Sequence, residues 1–268
     1  MATKIGVVGC GGRMGQALLK IINEHNDAIL AGGTERHDSP LIGTALMPNL
    51  AGYEDLLIHD NPELLFEQCD VVIDFTCPTA TVLHLDYAKK YQTAHIIGTT
   101  GLSEEQEALI ADTAKDIPLV YASNYSLSMN VMFCLTRQAA SILDEDFDLE
   151  ILEMHHRHKV DAPSGTALSL GKEAARGRNV DLNAVSDRVR DGITGERQRG
   201  DIGFAVLRGG NVAGEHTVSF NADNERFELT HKATDRSIFA RGAVHAALWV
   251  TQQQNGQYDM FDVLNLPK

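Results

Sequence analysis

The chain has 268 residues, 43% of them hydrophobic and 22% charged, and carries a formal net charge of −14. This is the composition of an ordinary globular protein, at a length where one core gives way to two domains. The acidic balance argues against nucleic acid or an anionic membrane as partner, and no apolar run reaches the ~18 residues that a membrane-spanning helix needs.

The start, Met1-Ala2-Thr3-Lys4-Ile5, passes directly into a strand without an apolar leader, so a cytoplasmic location is expected. The four cysteines (Cys10, Cys69, Cys77 and Cys134) form no CxxC pair and read as reduced thiols. Three are expected to be small buried hydrophobes, with Cys10, set in a glycine loop, the candidate for exposure.

Ile5-Gly6-Val7-Val8 is an apolar run suited to a strand buried on both faces. It feeds Gly9-Cys10-Gly11-Gly12-Arg13-Met14-Gly15, after which Met14, Leu18, Ile21 and Ile22 mark an amphipathic helix. Strand, glycine turn and helix in succession predict a dinucleotide site, although the spacing Gly9-x-x-Gly12-x-x-Gly15 is not the strict GxGxxG. Residues 28–33 read as the next strand. It ends at Glu35, placed 20 residues after Gly15, where an acid binds adenosine ribose hydroxyls. Arg36 beside it suits a 2′-phosphate, so the pair predicts tolerance of both NAD and NADP.

Residues 37–68 are looser, with a helix expected over 63–68. Strands are predicted at 71–76, 95–97 and 119–122, and helices at 79–90 and 103–115, the latter opened by a capping box at Ser103 and Gln106. Gly98-Thr99-Thr100-Gly101 and Ala122-Ser123-Asn124-Tyr125-Ser126 are strand-exit loops, expected to border the same crevice as the glycine turn. The alternation predicts a Rossmann-like, doubly wound parallel sheet.

A helix follows over 127–143, with Val131, Leu135, Ala139 and Ile142 along one side. A strand over 149–154 delivers the chain to His155-His156-Arg157-His158-Lys159-Val160-Asp161-Ala162-Pro163-Ser164-Gly165-Thr166-Ala167. Five of the six residues from Met154 to Lys159 are His, Arg or Lys in an otherwise acidic chain, and Ser164 is a favoured N-cap for the helix that follows, fading near Arg176. Cationic side chains beside a helix N-terminus suit a small substrate with carboxylates and a proton donor at hand. Metal is not expected, since neither HExxH nor CxxC spacing accompanies the histidines. Residues 177–200 read as a long polar loop, followed by strands at 202–208, 216–221 and 227–231 and a closing helix through Phe239 and Val250. Alternation in Thr217-Val218-Ser219-Phe220 predicts a half-exposed antiparallel sheet, giving a second α+β domain with a mixed sheet. The basic loop is expected to face the nicotinamide across an interdomain cleft.

These residues resemble the dihydrodipicolinate reductase (4-hydroxy-tetrahydrodipicolinate reductase) family of the diaminopimelate and lysine pathway. The resemblance rests on Gly9-x-x-Gly12-Arg13-Met14-Gly15, Glu35-Arg36, Gly98-Thr99-Thr100-Gly101, Asn124-Tyr125-Ser126 and Glu153-Met154-His155-His156-x-x-Lys159-x-Asp161-Ala162-Pro163-Ser164-Gly165-Thr166-Ala167. Cys10 stands where the family often has alanine. The resemblance implies reduction of a cyclic imine dicarboxylate to tetrahydrodipicolinate with NADH or NADPH. It implies His155 as general acid, Lys159 as its catalytic partner, and His156 with Gly165 and Thr166 as the substrate carboxylate site. Gly9, Cys10, Gly11, Gly12, Arg13, Met14, Glu35, Arg36, Gly98, Thr99, Thr100, Ala122, Ser123, Asn124 and Tyr125 would form the nucleotide site. It further implies a nucleotide domain of 1–126 and 237–268, a substrate and oligomerisation domain of 127–236, and a homotetramer. The competing readings are a dehydrogenase of another small dicarboxylate, a non-catalytic NAD(P)-sensing protein, and a histidine-cluster metalloenzyme.

Overall fold

The computed structural model describes residues 2–48, 50 and 52–268. Met1 at the chain's start, and Asn49 and Ala51 within the looser stretch 37–68, lie outside the described residues. In chain order the elements are β1 (Thr3–Val8), α1 (Arg13–Asn23), β2 (Ala28–Thr34), α2 (Pro62–Gln68), β3 (Val71–Asp74), α3 (Pro78–Tyr91), β4 (Ala94–Ile97), α4 (Glu104–Thr113) and β5 (Pro118–Tyr121). There follow α5 (Leu127–Ile142), β6 (Asp148–His155), α6 (Gly165–Arg178), α7 (Leu182–Val185), β7 (Ser186–Asp187), β8 (Ile202–Arg208), β9 (Gly214–Asn221), β10 (Arg226–Ala233), α8 (Ser237–Val250), β11 (Gly256–Tyr258) and α9 (Met260–Val263). They gather into two compact units, one of Met1–Leu127 and Arg236–Asn265, the other of Ser128–Asp235 and Leu266–Lys268.

Among the described residues the first unit holds a six-stranded parallel sheet in the order β11-β5-β4-β3-β1-β2. Helices cover both faces, which is why the strands read as unbroken apolar runs: Ile5, Val7, Val71, Val72, Ile73, Ile96 and Ile97 are all fully buried. The strand order reverses at β1, with β2 on one side and β3 on the other, so the glycine turn leaving β1 sits at the switch point where such sheets bind ligands. Helix α8 completes this core with small residues, Ala240, Ala243, Ala246 and Ala247, all buried. Its Gly242 lies so near the chain that a Cβ there would fall 1.6 Å from the Tyr125 carbonyl oxygen. The strand β11 and the helix α9 have no counterpart in the sequence reading. Three residues are too few for a periodic signal, and α9 is announced only by its capping box at Asp259 and Asp262.

The second unit is built on a mixed sheet in the order β10-β9-β6-β8-β7, with β6 parallel to β8 and antiparallel to β9. Alternate residues of β9 are buried, as its pattern predicts. The stretch 177–200, expected as a loop, instead begins with the end of α6 and contains α7 and β7. Asn179 closes α6 in the left-handed conformation and Asp181 caps α7 through the N–H of Asn183, so polar residues that read as loop are helix caps. On α5 the stripe Val131, Leu135 and Ile142 is exposed, and the packed side is formed by Met129, Met132, Phe133, Thr136 and Ala140. The cysteine expectation is also corrected: Cys10 is fully buried and Cys77, just before α3, is the exposed thiol, all four being free. No helix among the described residues is long and apolar enough to cross a membrane.

Gly242→Ala, which forces a methyl group into the Tyr125 carbonyl, is expected to destabilise the protein by ~3 kcal/mol, the upper part of the range for overpacking. Urea unfolding followed by circular dichroism checks this; a midpoint equal to wild type would refute the close packing.

Candidate active site

In the first unit the glycine turn has the shape an incoming phosphate requires. Gly9 takes φ +67°, a conformation suited to glycine, and its carbonyl accepts from the Gly12 N–H at 3.1 Å. Gly15 permits α1 to press onto the turn, since a Cβ there would lie 2.4 Å from the Gly9 oxygen. Gly12 precedes α1 without a side-chain cap, leaving the helix start open to an anion, with Arg13 exposed and Met14 half-buried beside it. Glu35 faces this turn, accepting from the Gly11 N–H at 2.8 Å, while Arg36 is exposed and pairs with exposed Asp38 at 3.0 Å. Cys10 contributes backbone alone. Its side chain lies in the core, and burial, then the charge of Glu35, pushes the thiol up to about 12.

The other two strand-exit loops flank the same sheet edge. Gly98 is packed on Phe75, where a Cβ would lie 2.2 Å from the ring, with Thr99 buried and Thr100 exposed. Ala122 is half-buried and Ser123 exposed; Asn124 is buried and accepts from the Ser126 N–H at 2.8 Å. Tyr125 turns its phenol inward, donating to the carbonyls of Ile97 and Val120 at 3.0 and 2.9 Å. It therefore anchors the loop, and only its backbone is placed for a ligand. The turn, the open helix start and the facing acid together fit a dinucleotide.

In the second unit, register assembles the site. His155 ends β6 opposite Arg208 on β8, and Glu153 lies opposite His216 on β9. Residues two apart on a strand share a face, so these four side chains converge. Glu153 is 1% exposed and fully engaged. Its Oε2 accepts from His155 Nδ1 at 2.6 Å, its Oε1 from the Ser164 N–H at 2.9 Å, and Arg208 grips both oxygens at 2.8 and 2.9 Å. Burial opposes its ionisation, but the bonds from His155, Arg208 and Ser164 prevail and bring its pKa down to about 2.

Arg208 also donates to the Asp161 carbonyl at 2.6 Å, and Lys159 Nζ lies 2.9 Å from Asp161 Oδ1. His155, Lys159 and the Ser164 cap are thus joined through the carboxylates of Glu153 and Asp161 and the guanidinium of Arg208. The Ser164 side chain caps α6 through the Ala167 N–H at 3.1 Å, so Gly165 and Thr166 form the helix's first turn. Around Gly165 the space is open, nothing standing within 4 Å of where a Cβ would be. His156 is half-buried, and its carbonyl accepts from the Lys159 N–H, folding the basic loop back on itself. Beside His155, His216 lies edge-to-face at 5.1 Å and bonds Ser164 Oγ at 3.1 Å.

Glu153, Arg208 and His216 are the residues whose roles the sequence reading did not draw out, whereas Ser164 caps α6 as expected. The Glu153-x-His155 spacing on a strand carried a signal for the first. Arg208 and His216 come from strands more than fifty residues away and carried none. Among the described residues, no group of three or more His, Cys, Asp or Glu side chains is arranged to hold a metal ion.

Residues 3–125 match the family described as "Dihydrodipicolinate reductase, N-terminus", and residues 128–264 match "Dihydrodipicolinate reductase, C-terminus". The 4-hydroxy-tetrahydrodipicolinate reductase of Ruegeria sp. (strain TM1040) is 49% identical over 99% of this chain and 100% of its own length. That of Chelativorans sp. (strain BNC1) is 51% identical over 96% of this chain and 94% of its own. The fold is shared with a dipicolinate-bound dihydrodipicolinate reductase from Paenisporosarcina sp. TG-14, at a TM-score of 0.77 and 24% identity over 98% of this chain and 99% of that one. With both halves of the sequence accounted for in order, the chain belongs to the dihydrodipicolinate reductase family.

Proposed function

We propose that this chain reduces 4-hydroxy-tetrahydrodipicolinate, or its dehydrated form, to tetrahydrodipicolinate, with His155 as proton donor. The observation that carries the reading is the Glu153-held imidazole beside Lys159 and an open helix N-terminus. The first unit would bind the nucleotide through Gly9 to Met14, Glu35, Arg36, Gly98 to Thr100 and Ala122 to Tyr125. A bound nicotinamide supplies the hydride. Glu35 suits ribose hydroxyls, and Arg36, whose exposed pair with Asp38 is worth little, is available to a 2′-phosphate, so NADH and NADPH are both accepted.

The rest is done by residues of the second unit. Reduction of a conjugated imine places negative charge on carbon and nitrogen, which must be stabilised and then protonated. The Glu153 carboxylate accepts from Nδ1 of His155 and so fixes the tautomer and ring plane, leaving Nε2 to deliver the proton. Gly214 keeps room at that nitrogen, since a Cβ there would lie 3.1 Å from Nε2. Lys159 exchanges Asp161 for a substrate carboxylate and favours the anionic transition state. A second carboxylate seats on His156 and the first turn of α6 at Gly165 and Thr166. Two held carboxylates fix the ring's orientation.

His216 keeps this array from accumulating positive charge. Burial, then the charge of His155, lowers its pKa to about 3, so it stays neutral and its Nε2 accepts from the Ser164 hydroxyl. The opposite face of the same sheet exposes Leu152 and Leu207, and we assign it to contact between copies in a homotetramer. The free cysteines accord with a cytoplasmic location.

An assay that generates the substrate from pyruvate and aspartate semialdehyde with the upstream synthase, read by nicotinamide absorbance, tests the reaction. In it His155→Gln is expected to lower kcat by about 10²- to 10⁴-fold, and Lys159→Ala to impair both kcat and KM. A wild-type kcat for His155→Gln would remove that residue from proton transfer. Light scattering should give four times the chain mass of 29.3 kDa; a monodisperse monomer would exclude the assigned interface. Finally, a histidine with a depressed folded pKa stabilises fully above its unfolded value near 6.5 and loses that stability as pH falls towards 3. Unfolding free energies from urea titrations between pH 7 and 5 should therefore fall less steeply for His216→Asn, by about 1 kcal/mol per pH unit. Parallel profiles would count against a neutral His216.

A further inference from the structure

The first unit contains a buried carboxylate that the chemistry above does not use. Asp74 ends β3 and is 0% exposed. Its Oδ1 accepts from the Thr76 N–H at 2.9 Å, the Thr76 hydroxyl at 2.6 Å and the Thr99 hydroxyl at 3.3 Å. Its Oδ2 accepts from His84 Nδ1 at 2.8 Å, with His95 Nε2 at 3.6 Å. The Thr81 hydroxyl, on α3, donates in turn to that of Thr99 at 2.8 Å. One side chain therefore ties the exit loops of β3 and β4 to α3. Thr76 extends the tie to the glycine turn, because a Cβ on Gly9 would lie 2.9 Å from its Cγ2.

Such a group is costly to maintain. Burial disfavours its charge, and the bond from His84, with His95 close by, more than offsets this, holding the carboxyl well below the usual range. Apolar residues replacing the carboxylate and its histidine partner together would often fill the same space at no cost to stability. What they could not do is hold two loops and a helix in one fixed relation through directed hydrogen bonds.

We propose that Asp74, with His84 as its partner, is a positioning residue for the nicotinamide nucleotide. It fixes the Thr76 and Thr99 loops, and through Thr76 the Gly9 turn, in the binding geometry before the ligand arrives. This lowers the ordering cost of binding and leaves the chemical step alone. The inference rests on assigning the nucleotide to these loops.

The test uses the full chain and its Asp74→Asn and His84→Gln variants, with dissociation constants for NADH and NADPH measured by calorimetry and steady-state kinetics alongside. Both variants are expected to bind nucleotide about ten- to a hundredfold more weakly, the loss of one or two charge-assisted hydrogen bonds. At saturating nucleotide, kcat should stay within about threefold of wild type and the imine substrate's KM should not change, which separates loop positioning from catalysis. Variants with a lower Tm but wild-type nucleotide affinity would make Asp74 purely structural and overturn the proposal. If neither variant folds, Thr81→Val decides. It removes only the tie to Thr99 and should weaken nucleotide binding by about three- to tenfold at unchanged Tm, whereas unchanged affinity overturns the proposal. Wild-type protein that binds neither nucleotide overturns the functional reading and this inference with it; wild type that binds, with indifferent variants, overturns this inference alone.

Discussion

The Glu153 carboxylate is the constraint on which the chemistry of the second unit depends. A buried charge must be met by partners, and each partner recruited here belongs to a different part of the site. His155 comes from the same strand, Ser164 from the cap of α6, and Arg208 from the neighbouring strand, which reaches on to the backbone of Asp161 beside Lys159. The His155 imidazole, the Lys159 ammonium and the helix N-terminus are therefore not placed independently. They are held by one set of charge-assisted bonds whose geometry tolerates little displacement. That coupling is how a loop of flexible basic side chains acquires the rigidity a catalytic arrangement needs.

The first unit uses the same device for a different end. Asp74, like Glu153, lies at or near the carboxyl end of a strand, takes a histidine Nδ1 and accepts a loop N–H. In both places the sheet supplies the fixed frame and a buried carboxylate transmits that rigidity to loops that would otherwise be free to move. The difference lies in what is fixed. One carboxylate orients the His155 imidazole, the other the exit loops of β3 and β4.

Much of this was legible in the sequence, and the limits have physical causes. Parallel strands announced themselves because both faces are buried, as at Val71–Ile73, and α1 because its apolar stripe has one period throughout. The site loop was visible because its charge runs against the chain's acidity. The short pieces β7, β11 and α7 were not visible, since two to four residues show no periodicity and α7 is carried by the Asp181 cap. The α5 stripe of Val131, Leu135 and Ile142 shows that an apolar period identifies a helix without saying which side packs. Arg208 and His216 escaped for another reason. Long-range strand register decides their neighbours, and register is a property of the sheet rather than of any segment. Cys10, expected to be exposed because it sits in a glycine loop, instead lays its side chain into the core.

The return of the chain to the first unit has a consequence for how the molecule comes into being. The helix α8 and the strand β11 belong to the core and sheet begun by β1, yet they are made only after the whole of 128–235. Until they emerge, the nascent sheet has an unpaired edge at β5 and apolar residues with nothing over them. The intervening unit is nearly continuous in sequence and has no such wait. The first unit, although begun first, is thus completed only after the bulk of the second has been made.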